Sequence, residues 1–345
     1  MPRSKAMRSR LSIVPLLVSL AGCGATMPQW NAAPSDRMTA SLARGPALQR
    51  PDHRRTWISP ELAGAETPLL FVSDSGTGDV YIYKVPSLKL VATITGFFQP
   101  QGECSDGKGN VWITDTGGQM VYQLSHHGQL INEFSDTSYP VACAWDSTTG
   151  NLAVINLFGS GSTSGGVLVY PKGTGSPTLY QNPDQYYYDF ADYDGSGDLY
   201  FDGGDADGNF MLSELPKGAA SARTVALTGG TIYFPGMVQW ISNKNALIVG
   251  DQSCGNAYTS CLYSVKISRS GGTIGAQTKL QTDAGGQICD LVQGVVFGGR
   301  LAGSDFNFCG SASSATYLWR YPGGGKPTNH NGSVVSAPIG AAISK

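Results

Sequence analysis

Charge is scarce in this sequence. Only 14% of its 345 residues are Asp, Glu, Lys or Arg, and 23 basic residues nearly balance 25 acidic ones. After the first twenty residues no apolar run is long enough to span a bilayer, while the 41% apolar content is too high for a disordered chain. The residues that are abundant, 46 Gly and 16 Tyr, indicate an all-β protein with many turns.

Motifs for catalysis are also missing. The four His residues show no metal-ligand spacing with a second His or Cys. No Gly-rich loop opens a helix that could hold phosphate, and the segment 161–165 lacks the strand-to-helix context of a nucleophile elbow. These absences favour a binding protein over an enzyme.

The N-terminus has the three parts of an export signal. Basic residues precede the apolar segment 11–20, which is too short to span a membrane as a mature helix. Leu20-Ala21-Gly22-Cys23 follows directly and resembles a bacterial lipobox. The resemblance implies that residues 1–22 are a signal peptide and that Cys23 is lipidated, which would hold the protein to the cell envelope. Gly24 after the cysteine indicates the outer membrane if the cell has two. The alternative is an ordinary secretory signal in which Cys23 is discarded.

Residues 23–60 form a predicted flexible tether behind the lipidated cysteine. Residues 24–60 contain five Arg and two Asp without apolar periodicity, so these arginines could contact anionic headgroups of the bilayer. Residues 61–345 contain 14 Lys and Arg against 23 Asp and Glu. This acidic balance argues against a nucleic-acid partner.

A repeated unit occupies the rest of the chain. Each copy has a short apolar strand, a Gly/Ser/Asp loop and an alternating strand, and matching positions fall at Phe71, Trp112, Ala153, Tyr200, Ile248 and Ala302. A period in the forties with several short strands is typical of propeller blades. The last eight residues, 338–345, match the pattern of 100–105. The sequence therefore predicts an all-β, six-bladed β-propeller over 61–345, closed by a C-terminal strand that joins blade one.

Residues 100–117 resemble an NHL repeat. Pro100, Gly102 and Asp106 carry this resemblance together with the segment 109–117 (GNVWITDTG). NHL-like rings include binding platforms and peptidyl-hydroxyglycine lyases, and gluconolactonase-type enzymes and streptogramin lyases are neighbouring groups. The resemblance therefore implies a propeller that either binds a partner or carries out chemistry at its centre.

Six cysteines remain besides Cys23, and an even number in an exported protein predicts disulfides. The propeller arrangement suggests three pairs: Cys254–Cys261 around one loop of blade five, Cys289–Cys309 on one face of blade six, and Cys104–Cys143 on adjacent inner strands. The last pair depends on neighbouring inner strands lying within bridging distance.

Aromatic residues precede most of the predicted inner strands. The loops that lead into these strands share a face with the loops between second and third strands, so aromatic and polar groups would surround a central mouth able to stack a sugar or hold a peptide. The predicted ligand-binding residues are Glu103, Tyr139, Tyr188, Asp192, Phe234, Gln239 and Asp290. The expected ligand is a peptide, a glycan or a partner protein. For any single aromatic, the alternative is packing between blades.

The competing hypothesis is a metal-dependent hydrolase or lyase of gluconolactonase or streptogramin-lyase type. Its site would lie in the central channel, with a divalent cation near Glu103, Asp192 and Asp290. The ligand set of the gluconolactonase group has no residue-by-residue counterpart in this chain. A structural envelope protein without a small ligand is a third alternative.

The segment 192–209 is the most acidic stretch. Asp192, Asp194 and Asp198 are similar to the start of a calcium loop, but Gly203 stands where such a loop needs a bidentate Glu. The sequence favours an ordinary turn here, and calcium or a similar divalent cation is the one cofactor considered.

Overall fold

The computed structural model describes residues 56–64, 68–161, 163–256, 259–306, 314–332 and 334–345. All of them belong to the unit Ala33–Lys345. The predicted signal peptide, Cys23 and almost all of the tether lie outside the described residues. Short 3-10 turns occur at Pro171–Gly173 and Cys254–Asn256. Among the described residues, no helix is long and apolar enough to cross a membrane.

The described residues form six small sheets, which we call blades. Blade one contains β1 (Trp57–Ile58), β2 (Leu69–Asp74), β3 (Asp79–Lys84) and β4 (Lys89–Thr95). Blade two contains β5 (Pro100–Ser105), β6 (Val111–Asp115), β7 (Met120–Leu124) and β8 (Leu130–Ser135). Blade three contains β9 (Pro140–Trp145), β10 (Leu152–Phe158), β11 (Ser164–Tyr170) and β12 (Thr178–Tyr180).

Blade four contains β13 (Tyr187–Tyr193), β14 (Leu199–Gly204), β15 (Phe210–Leu215) and β16 (Arg223–Thr224). Blade five contains β17 (Leu227–Thr228), β18 (Pro235–Ile241), β19 (Ala246–Asp251), β20 (Cys261–Ser268) and β21 (Gly271–Lys279). Blade six contains β22 (Gly294–Phe297), β23 (Arg300–Asp305), β24 (Ala315–Arg320) and β25 (Asn329–Asn331). The last strand of the chain is β26 (Ala342–Ser344).

The C-terminal strand completes blade one. β26 pairs antiparallel with β2, with Leu69 opposite Ser344 and Phe71 opposite Ala342, so the strand order of this sheet is β1-β4-β3-β2-β26. Blade one would otherwise expose the edge of β2 to solvent. The predicted all-β, six-bladed propeller and its closure by the C-terminus are both confirmed.

The innermost strands, β5, β9, β13, β18, β22 and β26, surround the axis and contact one another from blade to blade. Each runs from one end of the ring to the other. We call the end where they begin the loop face; it carries the loops before the inner strands and those between second and third strands. The opposite end, the turn face, carries the turns between first and second and between third and fourth strands.

Second strands lie in the core between neighbouring blades. Every residue of β2, β6, β14 and β19 is buried. Because a strand covered on both faces has no side in contact with solvent, nearly all of its residues are apolar. These apolar runs make the repeat recognisable in the sequence. Trp112 and Trp319 are the largest fully buried side chains.

A buried aspartate ends the second strand in four blades: Asp74, Asp115, Asp251 and Asp305. Each accepts backbone N–H bonds from the loop that leads into the inner strand. Asp115, for example, accepts from Phe98 at 2.9 Å and Gln99 at 2.7 Å. These carboxylates satisfy loop amides that would otherwise be buried without a partner, so their repetition reflects structure rather than chemistry.

Candidate functional site

A cavity of about 230 Å³ lies on the axis, in the half of the ring next to the turn face. Inner strands of all six blades contribute to its wall; β5, β9, β13 and β18 do so through their later residues, which lie towards the turn face. Among its lining residues are Glu103, Trp145, Asp192, Gln239, Phe297 and Lys345. Three of the seven predicted ligand-binding residues are therefore brought together here.

Glu103 is the unusual side chain of this cavity. It is 2% exposed, and neither carboxyl oxygen has a hydrogen-bond partner among the residues that the structure describes. Burial raises the pKa of Glu103 well above its usual range, and the nearby amide of Ala342 lowers it only in part. Burial therefore favours the neutral form of this carboxyl group, whose hydrogen-bonding capacity is largely unused.

Asp192 lines the same cavity, but its carboxylate is occupied. Its Oδ2 accepts the N–H of Trp240 at 2.8 Å and its Oδ1 accepts the N–H of Tyr193 at 2.9 Å. Burial raises the pKa of Asp192 to about 7, although these two amides lower it. The bond to Trp240 joins β13 to β18, so Asp192 also holds two blades together.

Two glutamines form a similar connection between blades. Gln239 donates from Nε2 to the carbonyl of Val296 at 3.0 Å, and its Oε1 accepts the N–H of Val296 at 2.7 Å. Gln293 makes the same pair of bonds with the backbone of Glu103, and Ala341 adds a third at 3.2 Å. The amide of Gln239 is thus already satisfied by the fold. Gln293 went unrecognised in the sequence because it precedes β22 whereas Gln239 lies within β18, so the two glutamines do not occupy matching positions of the repeat.

Two of the three suggested disulfides are present. Cys254 and Cys261 are bonded with a Cα–Cα distance of 5.6 Å. Cys104 and Cys143 are also bonded, again at 5.6 Å, so the adjacent inner strands β5 and β9 do come within bridging distance. For the third pair, Cys309 lies outside the described residues.

The close approach of these two strands depends on Gly102. A Cβ atom at this position would collide with the backbone of Val141 and Ala142. Only a residue without a side chain lets β5 and β9 pack this closely beside Cys104 and Cys143.

The other predicted residues do not line the cavity. Tyr139, Phe234 and Asp290 precede inner strands at the loop face, where the N–H of Phe234 donates to Asp251 at 3.1 Å and that of Asp290 to Asp305 at 3.0 Å. The structure therefore does not place Asp290 with Glu103 and Asp192. Within the described part of the chain, no three His, Cys, Asp or Glu side chains are arranged to share a metal ion.

Tyr188 is a core residue. It is fully buried, stacks on Phe201 with ring centroids 5.4 Å apart, and its hydroxyl accepts the N–H of Asn182 at 2.8 Å. Neighbouring Tyr186, by contrast, is 37% exposed at the loop face, and Tyr233 is 42% exposed there. The exposed aromatic surface of the loop face thus belongs to residues next to the ones that the sequence singled out.

The acidic segment after β13 forms ordinary turns. Asp194 accepts the N–H groups of Ser196 and Asp198 at 2.8 and 2.9 Å. Asp205 accepts those of Asp207 and Asn209 at 2.9 and 2.8 Å. Carboxylates that close their own turns in this way match the turn interpretation of the sequence.

Comparisons with known proteins support the fold alone. The sequence matches no protein-family model, and none of the curated proteins is similar to it. Among solved structures, a protein of unknown function from Bacteroides caccae is 11% identical, with a TM-score of 0.61, over 81% of this chain and 100% of that one. Hydrazine synthase of Kuenenia stuttgartiensis is 12% identical, with a TM-score of 0.53, over 72% of each chain. A functionally unknown protein from Desulfotomaculum acetoxidans is 10% identical, with a TM-score of 0.51, over 80% of this chain and 98% of that one.

Proposed function

We propose that this chain is a lipid-anchored binding protein of the bacterial cell envelope, and that the axial cavity is its ligand site. The observation that carries the proposal is the carboxyl group of Glu103, which is buried in the cavity wall without a hydrogen-bond partner. A buried polar group left unsatisfied costs stability, and such groups persist where a ligand supplies the partner.

The cavity favours a small ligand with hydroxyl or amino groups. Its volume of about 230 Å³ suits a molecule the size of one sugar unit. Glu103 would hydrogen-bond polar groups of the ligand, while Trp145 and Phe297 offer apolar ring surface in the same wall. A monosaccharide unit or an amino sugar presents these polar and apolar surfaces together.

The test compares wild-type protein with the variants Glu103→Gln and Glu103→Leu. Native mass spectrometry detects a ligand that co-purifies, and calorimetry measures binding of glucose and glucosamine as probes. We expect a bound small molecule or a binding signal in the wild type that weakens in Glu103→Gln and disappears in Glu103→Leu. The cavity would be refuted as a ligand site if mass spectrometry showed only the ligand-free protein and neither probe bound at millimolar concentration. Equal binding by all three proteins would refute it as well.

Anchoring is tested separately at Cys23. We expect the protein to incorporate radiolabelled fatty acid and to partition into the detergent phase on Triton X-114 extraction, whereas Cys23→Ser should do neither. Recovery of the wild type in the aqueous phase, with an N-terminus downstream of residue 23, would indicate an ordinary secretory signal instead.

A second candidate function is recognition of a larger partner by the loop face. It is supported by the exposure of Tyr186 and Tyr233, both in loops that lead into inner strands. Replacing both with Ser should remove a partner captured from the envelope by cross-linking, while Glu103→Leu should leave that capture unchanged. If both variants captured the same partners as the wild type, the loop face would not be the surface that binds them.

A further inference from the structure

Basic residues are segregated onto one end of the ring. Thirteen of the fourteen Lys and Arg residues in 61–345 lie within three residues of a turn-face turn or at the C-terminus. They are Lys84, Lys89, Lys108, Lys172, Lys217, Arg223, Lys244, Lys266, Arg269, Arg300, Arg320, Lys326 and Lys345. The remaining one, Lys279, is the last residue of β21, at the loop-face end of blade five. Lys84 is half-buried and the other twelve turn-face bases are exposed.

The loop face has the opposite character. In the part of its loops that the structure describes there is no Lys, Arg or His, whereas Asp184, Asp205 and Asp207 all lie there. The segment 61–345 has more acidic than basic residues, so its net charge gives no sign of a positive surface. The turn face is positive because the fold gathers the basic residues there.

Most of the turn-face bases are available to a partner. Glu61 pairs with Lys89 at 2.7 Å and with Lys84 at 3.5 Å, at the edge of blade one. Arg223 pairs with Glu214 at 2.7 Å, and none of the other ten forms an ion pair within the described ranges. Two of these ten donate hydrogen bonds within the chain: Lys172 to the carbonyl of Thr149 at 2.6 Å and Lys217 to the hydroxyl of Thr148 at 2.9 Å. Acidic residues of the same turns, such as Asp106 and Asp146, direct their carboxylates to the N–H groups of their own turns.

We propose that the turn face docks onto an anionic phospholipid surface. A broad end of a ring that carries ten bases without an ion pair matches a flat, negatively charged bilayer. Each Lys or Arg near such a surface strengthens binding about fivefold. The proposal does not depend on a ligand in the axial cavity, because it rests on charge placement alone.

The position of the predicted anchor is compatible with this docking. Cys23 and Thr56, where the described chain begins, are 33 positions apart. Thr56 lies beside Thr95 at the loop-face end of blade one, and the ring is about 20 Å high for a six-residue strand. A chain of this length can span up to about 110 Å, so the separation allows a lipid on Cys23 to lie at the turn face.

Docking in this orientation would place the axial cavity near the membrane and the loop face away from it. The axial cavity lies in the half of the ring next to the turn face, so it would lie close to the headgroups. Tyr186 and Tyr233 would face away from the bilayer, where a partner from the aqueous compartment can reach them.

The experiment uses protein beginning at Gly24, which keeps the tether and every described residue but lacks the lipid. Binding is measured by co-sedimentation with phosphatidylcholine vesicles that contain no phosphatidylglycerol or roughly a third of it. The test variant combines Lys108→Gln, Lys266→Gln, Arg269→Gln and Arg300→Gln. The matched control makes the same change in net charge at exposed loop-face positions: Thr137→Glu, Ser160→Glu, Ala206→Glu and Thr231→Glu.

We expect wild type and control to bind only the anionic vesicles and to be released by salt. The turn-face variant should bind at least about tenfold more weakly, since four contributing charges are gone. Circular dichroism and thermal melts check that all three proteins are folded. Equal binding by wild type and turn-face variant, or equal weakening in the control, would overturn the proposal. Tighter binding to heparin than to the anionic vesicles would also overturn it, in favour of an acidic polysaccharide.

Discussion

The carboxamide of Gln293 hydrogen-bonds both backbone polar groups of Glu103, accepting its N–H at 3.0 Å and donating to its carbonyl at 2.9 Å. These residues lie 190 positions apart, on blades six and two, so one side chain links two blades that have blade one between them. The backbone of Glu103 is thus fixed in the ring, while its carboxyl oxygens have no hydrogen-bond partner in the described part of the chain. Glu103 combines a rigid position with unused hydrogen-bonding capacity, which is what a ligand site requires.

Glu103→Leu should make the ligand-free protein more stable. Leucine occupies similar space without a buried polar group that lacks a partner, so we expect the free energy of unfolding to rise by about 1–3 kcal/mol. Urea denaturation measures this change. Asp192→Leu is the matched control and should lower stability, because it removes the acceptor of the Trp240 amide. A less stable Glu103→Leu protein would mean that the carboxyl group has a partner after all.

Stability should also depend on pH through Glu103. The pKa of this group is raised in the folded chain, so the folded state holds a proton that the unfolded state releases above about pH 4.3. Stability therefore falls as pH rises from that value towards the folded pKa, by up to about 1.4 kcal/mol per pH unit for this one group. Glu103→Gln removes this dependence.

The comparison is made by urea denaturation at several pH values for wild type, Glu103→Gln and Glu133→Gln. Glu133 lies exposed on the outer strand β8 and serves as the control. We expect the curve of Glu103→Gln to be flatter than the other two. Parallel curves for all three proteins would show that Glu103 is not buried as a neutral acid.

The two disulfides should contribute unequally to stability. Cys104–Cys143 closes a segment of 39 residues and Cys254–Cys261 one of only 7. In the chain-entropy account the longer loop restricts the unfolded state more, by about 4 kcal/mol against about 2.5 kcal/mol. Urea denaturation of Cys104→Ala/Cys143→Ala and of Cys254→Ala/Cys261→Ala should show this order, and the reverse order would argue against loop closure as the source.

The architecture was readable from the sequence because its signal is repeated. The buried second strands recur as apolar runs, and the match of 338–345 to 100–105 is sufficient to predict the pairing of β26 with β2. The Asp that ends these strands is also visible as a repeat, but its role in holding the loop-face amides requires the coordinates.

The cavity could be predicted only in part. Glu103, Asp192 and Gln239 were found because they are polar residues on inner strands, which tend to be apolar. Their separation from Asp290 was not visible, because it depends on how far along the channel each residue lies. Irregular pairing adds to the difficulty: the register of β5 and β6 shifts between Pro100 and Glu103, so simple alternation does not tell which side chains face the axis.

Removing the last four residues should open the ring. The deletion takes away β26 and leaves the edge of β2 unpaired, exposing the buried side chains that Ile343 covers. We expect a lower melting temperature and aggregation during size-exclusion chromatography, because an unpaired strand edge invites pairing with other chains. Deleting Lys345 alone is the control and should leave both properties unchanged.

A synthetic peptide of residues 338–345 should rescue the shortened protein. Added in trans, it can occupy the vacant edge of blade one as a complementing strand. A shortened protein that stays monomeric and melts like the full chain would show that closure by β26 is dispensable.

Gly102→Ala should destabilise the protein although the change is small. The added methyl group would meet the backbone of Val141 and Ala142, so β5 and β9 must move apart beside the Cys104–Cys143 bond. Such overpacking costs about 1–3 kcal/mol, because backbone atoms cannot rotate out of the way. Gly107→Ala is the control, since a Cβ at that turn position meets nothing within 4 Å. In urea denaturation the control should stay within about 0.5 kcal/mol of the wild type. Equal stability of both variants would mean that a methyl group fits between β5 and β9 without moving them. Close packing of these strands would then not be what positions the disulfide.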